Sequence, residues 1–198
     1  SDSNSQFLLD SVNEYRNRHG LESLTLEASL CKVASGHAKF MDSNQVLSHF
    51  EKREMKDFYG EDLAERAATV NWQDDLSELV GFARSNTSDA IQAIFDSPCH
   101  RIRFLKPGKL KLGASSSGDF VCLLIGGEES GKSVVSPPDG SENVPVSWSA
   151  NDDLSGTCTG FGSKEFGYPI TYTDGSLAKS VKTWSFVLTD QNITEVAG

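Results

Sequence analysis

Apolar residues recur three and four positions apart through the first hundred residues of the chain. Between Gln6 and His19 that spacing is kept by Phe7, Leu8, Val12 and Tyr15, which predicts a helix that Gly20 stops. A second helix is predicted from Glu27 to Ser43, with Ala28, Cys31, Ala34, Ala38 and Met41 on one face and Thr25 as its cap. A short third helix, Glu61 to Val70, places Leu63, Ala64, Ala67 and Ala68 as a buried stripe. Thr87 or Ser88 caps a fourth, whose apolar positions are Ala90, Ile91, Ile94 and Phe95, and Pro98 ends it or starts the next turn.

The period then changes to that of strands. Lys109 to Leu112 alternates, Gly113 to Gly118 is small and reads as a turn, and Phe120 to Ile125 is continuously apolar. A continuous apolar strand is one covered on both faces, so helices on both sides of a short sheet are expected. Past Gly126 no helical period remains. Ser136-Pro137-Pro138-Asp139-Gly140 punctuates the chain, and Val144 to Ser149, Tyr168 to Thr173 and Val181 to Thr189 read as strands. The expected organisation is therefore an α+β domain over residues 1–128 and a β-rich, immunoglobulin-like module over 129–198, which is short of a full sandwich of about 100 residues and is expected either to be truncated or to complete itself against the first domain. Trp148 and Trp184 are the candidates for its core.

Composition narrows the function classes. The chain has 198 residues, 37% of them hydrophobic, and no apolar run approaches the ~20 residues of a transmembrane helix. Its net charge of −10 disfavours nucleic acid and anionic membrane as partners. The one basic cluster, Arg101, Arg103, Lys106, Lys109 and Lys111, reads as a solvated face. Four cysteines, Cys31, Cys99, Cys122 and Cys158, contain no C-x-x-C pair and allow two disulfides in an oxidising compartment. The N-terminal Ser-Asp-Ser-Asn-Ser-Gln suits a trimmed secreted protein. Asn86-Thr87-Ser88 and Asn192-Ile193-Thr194 spell glycosylation sequons, without meaning in a bacterial source.

Gly126-Gly127-Glu128-Glu129-Ser130-Gly131-Lys132-Ser133 matches the G-x-x-x-x-G-K-[ST] phosphate loop to the letter. That loop works because a helix N-terminus follows it and points at the phosphates. Val134-Val135-Ser136-Pro137-Pro138 cannot form that first turn, and two glutamates would face the nucleotide's own charge. The segment is read as a hairpin or interdomain loop. Ser115 to Ser117 lack a nucleophile elbow and read as a turn, and adjacency of Cys99 and His100 is poor geometry for a dyad.

Three segments taken in order carry a resemblance. They are Leu8 to Arg16 with Gly20-Leu21, Leu24, Ala34 to Met41 and Leu47-Ser48-His49; then Glu61-Asp62-Leu63-Ala64-Glu65-Arg66; then Ser97-Pro98-Cys99-His100-Arg101 with Phe104-Leu105 and Leu112-Gly113-Ala114. Over about residues 6–126 the chain resembles the CAP superfamily of cysteine-rich secretory proteins, insect antigen 5 and plant pathogenesis-related proteins. It is most similar to the bacterial branch, where the last segment reads Ser-Pro-x-His-Arg. The resemblance implies an α-β-α sandwich with a central cleft holding two histidines and one or two glutamates. Carried over, these are His49, His100 and Glu65. The family's second glutamate is replaced by Ser97, and its Glu-Asn pair by Glu65-Arg66.

Two imidazoles and a carboxylate can hold zinc or another divalent cation, or run acid–base chemistry near neutral pH. His49, Glu65 and His100 are thus the expected metal ligands, with Ser97 completing the ligand-binding cleft. His19 and His37 read as helix-end and helix-surface residues. The expected function is a secreted or cell-surface binding module, monomeric, with a lipid, carbohydrate or protein as its extracellular ligand. The alternative is a metal-dependent extracellular hydrolase, a reading weakened by the serine at position 97.

Overall fold

Helix α1 (Ser3–Arg18) turns Leu8 and Val12, one helical turn apart and both fully buried, toward a sheet, and Gly20 follows it with a φ of 66°. The computed structural model describes residues 3–82, 87–130, 133–149, 165–173, 185–188 and 194–197. Helix α2 (Ala28–Asn44) buries Leu30, Val33, Ala34, Ala38, Phe40 and Met41. Its cap is Glu27, whose carboxylate accepts from the Ser29 amide at 3.3 Å. Thr25, the expected cap, instead forms strand β1 (Thr25–Leu26), because the chain must run extended there to pair with Lys111 and Leu112.

Helix α3 (Leu63–Ala68) starts at Asp62, which accepts from the Glu65 amide at 2.9 Å. The alanine stripe expected on it is not its inward side. Ala64 and Ala68 are exposed, while Ala67 and Arg66 are buried, since the helix turns its arginine onto an ionic cluster. Helix α4 (Thr87–Asp96) buries the expected Ala90, Ile91, Ile94 and Phe95. Thr87 and Ser88, the expected caps, lie inside it. Ser97 is the N-cap of α5 (Pro98–Phe104), with Pro98 at the first helical position, where its missing N–H costs nothing.

The sheet has the order β1-β3-β4-β2, with β2 at Leu76–Phe82, β3 at Gly108–Ser117 and β4 at Phe120–Glu129. Only β1 and β3 are parallel. Strand β4 is covered on both faces, as its continuous apolar run requires. Val121, Leu123 and Ile125 meet α1, α4 and α5, while Phe120, Cys122 and Leu124 meet α2. The result is an α-β-α sandwich.

Gly113 to Ser117, read as a turn, continues β3; the chain reverses at Gly118, with φ of 51°. These residues are small because helices press on them. A Cβ at Gly113 would stand 2.5 Å from the Leu30 backbone, and Ser5 Oγ donates to the Ala114 carbonyl at 2.7 Å. The phosphate-loop look-alike is corrected in the same way. Gly126 to Glu129 are strand, paired with Lys111 to Gly108, and Ser130 N–H donates to the Pro107 carbonyl. An extended strand cannot wrap its amides around a phosphate.

In the tail, β5 (Val134–Ser136) pairs with β8 (Thr171–Thr173), β6 (Ser147–Ser149) with β7 (Glu165–Gly167), and β9 (Ser185–Leu188) with β10 (Thr194–Ala197), all antiparallel. Trp148 is buried as expected; Trp184 and Cys158 lie outside the described residues. Arg101 is not part of a solvated face. Fully buried, it donates to the carbonyls of Phe95, Asp96 and Pro169 and covers the Tyr168 ring at 4.6 Å. Cys31 and Cys122 are free thiols and Cys99 is disulfide-bonded, so the two disulfides that four cysteines allow are not both formed. Among the described residues no helix is long and apolar enough to cross a membrane.

Candidate functional site

Between α2 and α3 the chain crosses residues 46–62 without helix or strand, and two carboxylates fasten that crossing to the sandwich. Glu51 turns inward, its Oε2 accepting from the amides of Tyr59 at 2.6 Å and Gly60 at 3.3 Å. Its Oε1 accepts from His37 Nδ1 at 2.7 Å. His37 Nε2 in turn donates to the Ser48 carbonyl at 2.8 Å. The ring is thereby held at both nitrogens, by a carboxylate on one side and a carbonyl on the other. Gly36, one residue before, lets the helix approach this loop: a Cβ there would come within 2.6 Å of the Tyr59 ring.

The second carboxylate is Glu78 on β2, with a side chain only 3% exposed. Glu78 Oε2 accepts from Arg66 Nη2 at 2.7 Å, and Oε1 accepts from His49 Nδ1 at 3.0 Å. Arg66 also donates to the carbonyls of Gly60 and His49, each at 3.0 Å, and its Nη1 lies 3.7 Å from Glu51. Two buried acids therefore face two buried bases, with most of their polar atoms hydrogen-bonded, which is the condition under which buried charge is tolerated. Burial pushes the Glu78 carboxyl up, but His49, His37 and Arg66 together outweigh it and hold the pKa below its ordinary value. Cys122 lies beneath, its Sγ 4.0 Å from Glu78 Oε2; burial first, and then Glu78, push the thiol well above its ordinary pKa. A thiol in that state is inert as a nucleophile.

His49 is the member of this group that reaches outward, with 28% of its side chain exposed. It opens into a cleft of about 460 Å³ whose walls are Phe50, Asp62, Leu63, Ala64, Leu76, Ser77, Glu78, Cys99 and Arg103. The cleft thus joins an apolar side, a carboxylate, a guanidinium and an imidazole held in place from behind. A ring fixed by a carboxylate through Nδ1 presents its other edge in a defined direction, suited to hydrogen bonding or proton exchange.

The four residues expected in the cleft are distributed differently. His49 lines it. Glu65 stands at the start of α3, where Oε2 accepts from the Glu61 amide and Oε1 from Arg53, each at 2.9 Å, so its carboxylate serves as a helix cap. His100 on α5 is 3% exposed and Ser97 is 1% exposed; neither is among the cleft walls. Among the described residues no three His, Cys, Asp or Glu side chains converge to hold a metal ion. The donors as placed therefore do not fit the cation that the resemblance implies.

His37, read from the sequence as a helix-surface residue, is wholly buried; Glu51 and Glu78 belong to no motif read from the sequence, and Arg66 appears there only as the altered half of the Glu65-Arg66 pair. One signal was available for Glu78. Leu76, Glu78 and Val80 share one face of an alternating strand, and a charged residue at an inward strand position demands a buried partner.

Residues 9–120 match the family model described as the cysteine-rich secretory protein family, CAP. No curated protein matches the chain. Among solved structures, the chain is similar to an extracellular protein containing an SCP domain from Bacillus anthracis, at 24% identity and a TM-score of 0.55, over 63% of this chain and 40% of that one. It is also similar to an outer surface protein from Borrelia burgdorferi, at 18% identity and a TM-score of 0.51, over 63% of this chain and 92% of that one. The chain therefore spans well under half of the Bacillus anthracis protein. At these identities the likeness is one of fold.

Proposed function

Since the chain belongs to the cysteine-rich secretory protein family, CAP, we propose that it is an extracellular binding module whose cleft takes a segment of another protein, with His49 as its polar anchor. The observation that carries this reading is the placement of His49, partly exposed in front and held from behind by the Glu78–Arg66 pair. A wall that combines Phe50, Leu63 and Leu76 with Asp62 and Arg103 suits a peptide bearing an apolar side chain beside charged ones. A lipid tail would leave the charges unsatisfied. Phe50, 67% exposed at the cleft, is apolar surface that a partner would cover.

Selection of displayed peptides on the intact protein, with counter-selection on the His49→Ala/Arg103→Ala double variant, tests this reading. Peptides that bind the natural chain and lose at least about tenfold on the variant are expected, since removing two central contacts costs more than 1.4 kcal/mol. Peptides indifferent to the two substitutions would contradict it. A zinc titration by calorimetry belongs beside it, on metal-stripped protein. Micromolar zinc binding lost in His49→Ala or His100→Ala would restore the cation reading. The His49–Glu78 pair also favours one alternative, a hydrolase with His49 as general base. Cleavage of a protein substrate that disappears in His49→Ala would establish it.

A further inference from the structure

A second cavity, of about 560 Å³, opens between the end of α1 and the segment that begins at β5, and it contains a serine and a histidine in contact. His19 Nδ1 lies 2.8 Å from the Tyr15 carbonyl, which can only accept, so the ring proton sits on Nδ1. That leaves the lone pair of Nε2 facing Ser136 Oγ at 2.9 Å, where the serine hydroxyl donates to it. The Tyr15 hydroxyl lies 3.3 Å from the same Oγ. Burial raises the Tyr15 pKa and lowers that of His19, which Arg101 and Arg18 lower further against the Tyr15 backbone bond, so the phenol stays a donor and the imidazole a base. The pair is 117 residues apart in sequence. It is positioned by α1 on one side and by the pairing of Ser136 with Thr171 on the other.

We propose that Ser136 is a nucleophile and His19 its general base, in a site for a neutral carboxylic ester with an apolar acyl group. Nucleophile, base and a carbonyl that orients the base are three of the parts such a site uses. The class of substrate follows from the cavity. Tyr168, Pro137 and Val144 offer apolar wall, while Asp96, Asp139 and Glu142 outnumber Arg18 at the same cavity and disfavour an anionic substrate. In the reaction the Ser136 O–H proton passes to His19 Nε2 as Oγ bonds to the acyl carbon. The imidazolium returns that proton to the departing alkoxide as the ester C–O bond breaks. Water then attacks the acyl-serine, giving its proton to His19 Nε2, and Oγ leaves with that proton as the acid is released.

The test treats the intact chain with an alkyl fluorophosphonate and maps the adducts by peptide mass spectrometry, with hydrolysis of p-nitrophenyl butyrate followed in parallel. Phosphonylation is expected at Ser136 and not at Ser23, an exposed serine bonded only to an asparagine side chain. Ser136→Ala should abolish both signals. His19→Gln should slow labelling about 100-fold while near-ultraviolet circular dichroism stays that of the natural fold. Absence of an adduct on Ser136 in the folded protein would overturn the proposal. An adduct that forms equally fast in folded His19→Gln would remove the histidine from it.

Discussion

The two faces of one sheet are built differently although β4 supplies both with equally apolar residues. On the face toward α1, α4 and α5, Leu8, Val12, Ile91, Ile94, Phe104, Leu123 and their neighbours form an apolar core. On the face toward α2 a similar core, from Leu30 to Leu124, gives way at one end to His37, Glu51, Arg66 and Glu78. The first face is packed by apolar contacts alone at these positions; the second also fixes His49 at the cleft through Glu78. Burying charge is costly; at this end four buried groups answer one another's charge, whereas on the other face Arg101 is satisfied by backbone carbonyls.

The largest expected effect comes from breaking the charged end. Arg66→Ala leaves Glu51 and Glu78 facing each other's charge without their guanidinium, and should lower unfolding free energy by about 3–5 kcal/mol in urea titration. On the apolar face, Leu123→Ala should cost about 2–5 kcal/mol by loss of packing alone, with no effect on binding at the cleft. Gly113→Ala pushes a methyl into the Leu30 backbone and should cost about 1–3 kcal/mol. His49→Ala removes the hydrogen bond to Glu78 from a partly exposed ring, so stability should fall by only about 1–2 kcal/mol while peptide binding is lost.

The two faces should also differ in acid. Glu78 has a folded pKa below its ordinary 4.5, so its contribution to stability is complete above that value and is lost as pH falls through the folded pKa. Glu78→Gln should flatten the fall in stability below about pH 4.5, whereas Leu123→Ala should shift the whole curve without changing its slope. An unchanged slope in Glu78→Gln would mean that the carboxylate is not held by its partners.

What the sequence made legible follows from the range of each interaction. The helices and the double-sided β4 are written in local periodicity, and the helical faces at Ala90, Ile91, Ile94 and Phe95 appear as expected. The small residues Gly113 to Ser117 were misread because a turn and a close helix contact ask for the same side chains. The cleft was half legible. His49 stands on it, but its carboxylate partner is 29 residues away on a strand and not at Glu65. For His37 and Arg101 polarity alone argues for exposure, and their burial depends on a carboxylate and carbonyls supplied from other segments.

The central claim is that Glu78 holds His49 through Nδ1 at the head of the cleft. Long-range ¹H–¹⁵N NMR of the imidazole nitrogens, recorded on the natural chain and on Glu78→Gln, tests it most directly. A protonated Nδ1 is expected for His49 in the natural chain, with that nitrogen's shift moving clearly in Glu78→Gln. A His49 ring whose proton resides on Nε2 alone, unaltered by the substitution, would contradict it.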